Sequence, residues 1–326
     1  MPDLIKNILI TRDLDKAKKA LIANEIIAIP TETVYGLAGN AFNNVAVKKI
    51  FDLKKRPFYN PLIVHIKSTA YLKDVAYDIP EIALQLAEKF WPGPLTLILK
   101  KLPAIPDIVT AGKKTVGIRM PNHPLTLELL AQLDFPLAAP SANPFGSISP
   151  TTAAHVAGYF KETLEVVLDG GHCEKGLEST IIGFEENKPV LFRLGAISLE
   201  DIEKEIGKVL IKNHGIETDL AAPGMLSRHY SPATNTYLTN NITEQIKLFK
   251  NKKIGLLLFK DGIDNKNINH QEILSTTGNL EEAAKGLYAA LHRLDKLQLD
   301  VIIAERFPDD GLGKTINDRL QRAVEK

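Results

Sequence analysis

Pro30-Thr31-Glu32-Thr33-Val34-Tyr35-Gly36-Leu37 follows Ile26-Ile27-Ala28-Ile29, a short apolar run rich in β-branched residues. Such a run reads as a buried strand, and Pro30 ends it. Two hydroxyls, a carboxylate and a phenol then crowd into the residues before Gly36. Polar groups packed against the end of a buried strand need partners, because leaving one unpaired costs roughly 1–3 kcal/mol. Taken alone, the stretch is either a capped turn or a ligand loop at the carboxyl end of a strand, where open α/β sheets bind their ligands. The flanking chain has to decide between them.

Around it, strands and amphipathic helices alternate. Asp13 to Asn24 has helical spacing at Leu14, Ala17 and Leu21, with Asp13 as N-cap. Asn44 to Lys55 reads as a helix burying Val45, Val47, Ile50 and Phe51, and it ends on Lys54-Lys55-Arg56 before Pro57. These cations either complement the helix dipole or hold phosphates. A strand from Asn60 to Ile66 carries His65, and a helix from Ile79 to Phe90 stops at Trp91-Pro92-Gly93-Pro94. Leu95 to Leu99 and Thr115 to Pro121 are further strands, the second holding Arg119. Leu137-Ala138-Ala139-Pro140-Ser141-Ala142-Asn143 repeats the opening arrangement, a small apolar strand running into a polar loop. Ser149-Pro150-Thr151 is expected to cap the next helix. Glu178-Ser179-Thr180 opens a strand, another strand ends at Arg193, and Ser198 with Asp201 caps a closing helix.

The stretch 211–235 is polar and punctuated by Pro and Gly, yet it holds Arg228, His229 and Tyr230. It reads as a linker between domains that also touches ligand. Beyond it, shorter strands and helices alternate again as a small layered α/β domain with a parallel sheet. The expected division is therefore 5–210, the linker 211–235, and 236–326. Gly311-Leu312-Gly313-Lys314-Thr315 resembles a P-loop but has Pro308 where that loop needs glycine, so it is expected to be a loop capping the last helix.

Composition narrows the function. The 326 residues are 44% hydrophobic and 24% charged, ordinary values for globular domains. A net charge of +1, from 40 basic and 39 acidic side chains, argues against a broad nucleic-acid surface. The single cysteine, Cys173, excludes an intrachain disulfide and a cysteine-based zinc site, and fits a reducing cytoplasm. Met1-Pro2-Asp3-Leu4-Ile5-Lys6 lacks the plan of a signal peptide, and no apolar run reaches the ~20 residues of a membrane helix. No dinucleotide glycine fingerprint, His-Glu-x-x-His pair or nucleophile elbow is present. What remains is hydroxyls, amides and cations at strand ends. They suit an anionic substrate and catalysis by positioning and charge stabilisation, as in nucleotidyl or phosphoryl transfer.

The opening stretch, Lys54-x-Arg56-Pro57, Asn60-Pro61-Leu62, Trp91-Pro92-Gly93-Pro94-Leu95-Thr96, Gly117-Ile118-Arg119-Met120-Pro121, Ser141-Ala142-Asn143 and Glu178-Ser179-Thr180-Ile181 together resemble the YrdC-like threonylcarbamoyl-AMP synthases. Pro223-Gly224-Met225, Arg228-His229-Tyr230-Ser231-Pro232 and Asn317-Asp318-Arg319-Leu320-x-Arg322-Ala323 look like the longer, two-domain branch. The resemblance implies a twisted mixed α/β sheet around a large basic cavity, followed by a small Rossmann-like domain. It implies a nucleotidyltransferase that joins L-threonine, bicarbonate and ATP into L-threonylcarbamoyl-adenylate, releasing pyrophosphate and water. The product would pass to a tRNA threonylcarbamoyl transferase complex, with no contact to tRNA required.

Carried over by position, Thr33, His65, Arg119, Ala139 and Ser179 should meet threonine, with Arg119 on its carboxylate and the Ala139 carbonyl on its amine. Arg56 and Lys54 should act on the phosphates. Asn60, Thr115, Ser141, Asn143, Ser149, Arg193 and Tyr230 should complete the nucleotide site. Magnesium would ride on the triphosphate, with no protein metal site. Two other readings stay open. One is a carbamoyl-adenylate module of hydrogenase maturation, which a single cysteine disfavours. The other is an RNA-binding or ribosome-associated protein that grips phosphates in the same cavity.

Overall fold

The computed structural model describes residues 8–161, 163–211 and 230–324. The first part runs β1 (Leu9–Thr11), α1 (Leu14–Ile22), β2 (Ile27–Ile29), β3 (Gly36–Asn40), α2 (Asn44–Lys54), β4 (Ile63–His65) and β5 (Ala76–Tyr77). It continues with α3 (Glu81–Phe90), β6 (Leu95–Lys101), α4 (Asp107–Thr110), β7 (Thr115–Arg119), α5 (Pro124–Ala131), β8 (Leu137–Ala138) and α6 (Ala153–Phe160). It closes with β9 (Val166–Leu168), β10 (Thr180–Glu185), β11 (Lys188–Arg193), α7 (Leu199–Ile206) and β12 (Leu210–Ile211). These strands form one mixed sheet in the order β1-β9-β2-β3-β8-β4-β7-β6-β10-β11-β12, with β5 on β6. The pairs β4–β7 and β6–β10 are parallel, whereas β3–β8, β4–β8 and β6–β7 are antiparallel.

This order brings distant segments together. His65 at the end of β4 pairs with Arg119 at the end of β7. Thr180 at the start of β10 pairs with Leu95 at the start of β6. Gly36, just after the opening loop, bridges Ser141. The strand-end loops, each weak as a signal, thus converge where β2, β4 and β7 end and β10 begins.

Local physics accounts for most of the elements. Asp13 caps α1 by accepting from the amides of Asp15 and Lys16. Ser198 caps α7, accepting from the Asp201 amide and donating to its carboxylate at 2.6 Å. Other expectations are corrected. The cap of α6 is Thr152, which accepts from the His155 amide, one residue beyond the expected Ser149-Pro150-Thr151. In α2 the buried face is Ala46, Val47, Ile50, Phe51 and Lys54, while Val45 is 61% exposed. That spacing of three and four residues carries Lys54 inward. Lys55 then turns left-handed with φ at +51°, ending the helix and throwing Arg56 back toward the sheet.

The second part holds β13 (Thr236–Thr239), α8 (Ile242–Leu248), β14 (Ile254–Leu258), β15 (Ile268–Ile273), α9 (Leu280–Asp295), β16 (Val301–Glu305) and α10 (Gly311–Val324). Its four-stranded sheet is parallel throughout, in the order β13-β16-β14-β15. Strand β15 escaped the sequence because Ile268-Asn269-His270-Gln271-Glu272-Ile273 is a polar edge with no clean alternation. Helix α10 starts at Gly311, so Gly311-Leu312-Gly313-Lys314 is its first turn rather than a loop. Of the expected linker, residues 212–229, including Met225, Arg228 and His229, lie outside the described residues.

The two parts share an apolar cluster. Val34, Ile148 and Leu177 pack with Tyr230, Leu287, Tyr288 and Leu320. Gly176 lies at a close approach between them, at φ +72°; a Cβ there would lie 2.5 Å from the Lys285 carbonyl oxygen on α9. No described helix is long and apolar enough to cross a membrane.

Candidate active site

The opening loop is held by its own hydroxyls. Thr31 Oγ1 donates to the Val34 carbonyl at 2.6 Å and accepts from the Thr33 and Val34 amides. Thr33, fully buried, places its hydroxyl 2.8 Å from that of Thr31. Tyr35 turns away and donates to the Gly171 carbonyl at 2.8 Å. The stretch is therefore both a capped turn and one wall of a cavity.

Thr33, Arg56, His65, Arg119 and Ala139 line that cavity together with Ser141, Ser179, Arg193 and Tyr230. Each cation is aimed by bonds to its neighbours. Arg56 donates to the Asn60 carbonyl (3.0 Å), Asn60 Oδ1 (2.6 Å) and the Pro61 carbonyl (2.8 Å). Arg119 donates from Nε to the Gly93 carbonyl at 3.2 Å, and its Nη2 lies 2.7 Å from Glu32 Oε1. That contact is an ion pair rather than an aligned hydrogen bond, since neither atom meets hydrogen-bond geometry. The other Glu32 oxygen accepts from the Asn122 amide. Arg193 donates to the Ser179 carbonyl and hydroxyl, and the Ser179 hydroxyl also lies 2.7 Å from that of Thr96.

Burial sets the electrostatics. It pushes the Arg56 guanidinium down to about 9; Tyr230 offsets part of that fall, and Arg193 adds a smaller repulsion. Burial, together with Arg119, takes His65 down to about 3, so its imidazole is neutral near pH 7. Among the described residues, His65 Nδ1 is buried without a hydrogen-bond partner. Three guanidiniums crowded onto one buried cavity repel each other, and an anion relieves that repulsion.

The other expected residues stand behind the wall. Lys54 is buried and its amino group donates to the Ser141 and Asn143 carbonyls, so it ties down the loop instead of facing the cavity. Burial and Arg56 hold its pKa well below the usual lysine range. Asn60 braces Arg56. Asn143 donates within its own loop to the Pro144 and Ser147 carbonyls. Ser149 donates to Glu178 at 2.7 Å. Thr115 begins β7 opposite Lys100 and is not among the residues lining the cavity.

A family model covering Sua5, YciO and YrdC, described as telomere recombination, matches residues 19–195, and one for the C-terminal domain of threonylcarbamoyl-AMP synthase matches 197–324. The chain is 43% identical over 312 residues to the threonylcarbamoyl-AMP synthase of Pyrococcus abyssi, covering 92% of this chain and 90% of that protein. The chain belongs to the threonylcarbamoyl-AMP synthase family. The Bacillus subtilis synthase is 41% identical over 319 residues, covering 95% and 92% of the two chains. The crystal structure of P. abyssi Sua5 complexed with L-threonine matches this chain with a TM-score of 0.89 at 41% identity, over 95% of this chain and 94% of that one.

Sequence reasoning gave no role to several residues that shape the synthase cavity. Glu178 lines it and accepts from Ser149, from Tyr288 Oη at 2.8 Å and from Arg319 Nε at 2.8 Å. Burial alone would raise the Glu178 carboxyl, but Arg319 and Arg193 outweigh it and hold the group ionised. Tyr230 stacks on Tyr288 with ring centroids 5.8 Å apart, and the Arg319 guanidinium lies 4.9 Å from the Tyr230 ring centre. Glu178 and Arg319 each stood in a motif of the sequence, with nothing to say that they met.

Proposed function

We propose that the cavity makes L-threonylcarbamoyl-adenylate from L-threonine, bicarbonate and ATP, in two steps without a covalent enzyme intermediate. The observation that carries this is the convergence of Arg56, Arg119 and Arg193 on one cavity whose hydroxyls serve no base. Thr33 and Ser179 bond to other hydroxyls and to Arg193, so neither is set up as a nucleophile.

The planar fork of Arg119 takes the threonine carboxylate, and Glu32 keeps that fork oriented. The Ala139 carbonyl takes the amine, Thr33 and Ser179 offer hydroxyls, and neutral His65 offers its unpartnered nitrogen. The free amine attacks the carbon of bicarbonate, forming the N–C bond of N-carboxythreonine as a C–O bond breaks and water leaves; if bicarbonate first dehydrates, the water leaves then, and the amine adds to carbon dioxide with loss of a proton. The new carboxylate oxygen then attacks the α-phosphorus of ATP, and the bond to the β-phosphate oxygen breaks to release pyrophosphate. Arg56 and Arg193, aimed before substrate arrives, stabilise the charge on the phosphates. Ser141 and Tyr230 bound the nucleotide, while Lys54, Asn60, Asn143 and Ser149 hold the loops that carry these groups. Thr115 is assigned to the nucleotide on the family resemblance alone.

Among the described residues, no group of three His, Cys, Asp or Glu side chains could cage a metal ion. We assign magnesium to the triphosphate itself, where it would neutralise charge. The product goes on to a transferase complex that modifies the adenosine beside the tRNA anticodon, and we place the reaction in the cytoplasm with its substrates.

The test is pyrophosphate release by the full chain, with each substrate omitted in turn. Release that requires threonine, bicarbonate and ATP together is expected. Release indifferent to threonine or bicarbonate refutes the reading, as does a trapped enzyme–adenylate. Tight, salt-sensitive RNA binding without release supports the phosphate-gripping alternative instead.

A further inference from the structure

Glu178 stands out in a cavity otherwise built for anions. It is the acidic residue among the described residues lining that cavity, and it is 6% exposed. A bare carboxylate there would repel a triphosphate. Two of its partners, Tyr288 and Arg319, come from α9 and α10 of the C-terminal domain. Burial and the Glu178 carboxylate both keep Tyr288 a protonated phenol, able to donate.

Arg319 does more than pair with Glu178. Its Nη2 donates to the carbonyl of Leu194, the residue after Arg193. Its guanidinium also lies over the ring of Tyr230. A neighbouring bond has the same direction: Thr315 Oγ1 on α10 donates to the Gly195 carbonyl at 3.0 Å. One buried side chain of the second domain therefore touches Glu178 and Tyr230 of the cavity wall and the residue that follows Arg193. A buried ion pair is weak evidence for stability, because an apolar pair of similar volume is often as stable. Its place beside an anion site calls for a different account.

We propose that Arg319 is a positioning residue of the synthase site. It cancels the charge of Glu178 and holds Tyr230 and Leu194, so that the cavity accepts nucleotide only while the C-terminal domain is docked. The proposal rests on the cavity being the site for ATP and threonine. It gives the C-terminal domain a defined task, completing the wall of a site whose substrate contacts come from the first domain and Tyr230.

The charge argument separates this role from simple packing. Removing Arg319 takes away the cation paired with Glu178 and leaves only Arg193, itself needed for phosphate, to offset the charge, and ATP, with its several negative charges, should suffer more than zwitterionic threonine. Removing the Glu178 charge as well should restore nucleotide binding. A packing role predicts no such rescue.

The experiment measures pyrophosphate release and thermal melting for the full-length wild type, R319M, E178Q and the E178Q/R319M double variant. R319M is expected to raise KM for ATP by about tenfold or more, and KM for threonine by less than about threefold. The double variant should return KM for ATP to within about threefold of wild type, with kcat only partly recovered because Tyr230 has lost its cover. If R319M fails to fold while the double variant folds, the carboxylate left without Arg319 is the cause and the proposal stands. It is overturned if R319M leaves KM for ATP unchanged, or if the double variant is no better than R319M in binding or folding. A wild type that releases no pyrophosphate from the three substrates removes the reading of the cavity instead.

Discussion

Acid should weaken this protein before most of its carboxylates protonate, and buried histidines contribute much of the slope. Burial and Arg119 take His65 down to about 3. Burial, opposed in part by a bond to the Ser149 carbonyl, takes His292 down to about 4. Burial and the facing His292 take His155 down to about 3. In the unfolded chain each imidazole titrates near 6.5. Below that pH the unfolded chain binds protons that the folded chain refuses. The histidine contribution is therefore intact above about pH 6.5 and is lost as the pH falls toward 3–4. Each refused proton costs about 1.4 kcal/mol per pH unit. Counting His155 at half, because it is partly exposed and screened, the loss at pH 5 is about 5 kcal/mol. That compares with a total stability of roughly 5–15 kcal/mol for an ordinary domain. His155 on α6 and His292 on α9 stack at 3.9 Å across the contact between the two domains, with Lys296 disfavouring and Asp295 favouring charge on His292. The assay is urea unfolding followed by circular dichroism between pH 7.5 and 5. In the H155F/H292F double variant only His65 of this group remains, so the loss at pH 5 should shrink to about 2 kcal/mol. A wild type that loses less than about 1.4 kcal/mol over this range, or a double variant with an unchanged slope, refutes the reasoning.

Arg56→Ala leaves the Asn60 carbonyl, Asn60 Oδ1 and the Pro61 carbonyl without their donor. It should destabilise the chain by about 2–4 kcal/mol, read by urea unfolding, besides abolishing most pyrophosphate release. Arg56→Lys keeps a charge but not the three-acceptor fork, and should lose turnover with a smaller loss of stability; near-normal turnover in either variant takes Arg56 out of the site. Thr33→Ala should raise KM for threonine by about tenfold and leave KM for ATP within about twofold, since one hydroxyl bond is at stake. Arg119→Lys loses both the bidentate geometry and the fit to Glu32, and calorimetric titration should show threonine binding weakened by about 2–3 kcal/mol. In the wild type, threonine at about a hundred times its Kd should add about 2.7 kcal/mol of stability, and a melting temperature that does not move would place threonine elsewhere.

The alternation of strands and helices was legible because apolar periodicity and caps are local. Asp13 and Ser198 cap as their types and spacing imply. Boundaries slipped where tertiary structure overrode the pattern. The strand expected from Asn60 begins only at Ile63, because Asn60 and Pro61 serve Arg56. Much of the cavity was legible too, because its residues sit at the ends of strands in one sheet. Lys54 is the instructive case. Its charge suggested phosphate, but its spacing from Val47, Ile50 and Phe51 already put it on the buried face of α2, where carbonyls of the 141–143 loop meet it.

What the sequence could not disclose is the part of the site that depends on domain docking. Glu178 meets Tyr288 across 110 residues and Arg319 across 141, and no periodicity links them. The opening loop shows how directly the two parts are joined. Thr33 and Val34 both line the cavity, and Val34 also lies in the apolar cluster shared with Tyr230, Tyr288 and Leu320. Under the proposed function, threonine bound at Thr33 would also constrain Val34, and docking of the second domain would constrain Val34 from the other side. Binding and docking would then stabilise the same loop conformation, each favouring the other by the same free energy. On the proposed role of Arg319, the second domain would act on the chemistry through two adjacent residues of a turn and through one arginine on a carboxylate, without itself supplying a reacting group.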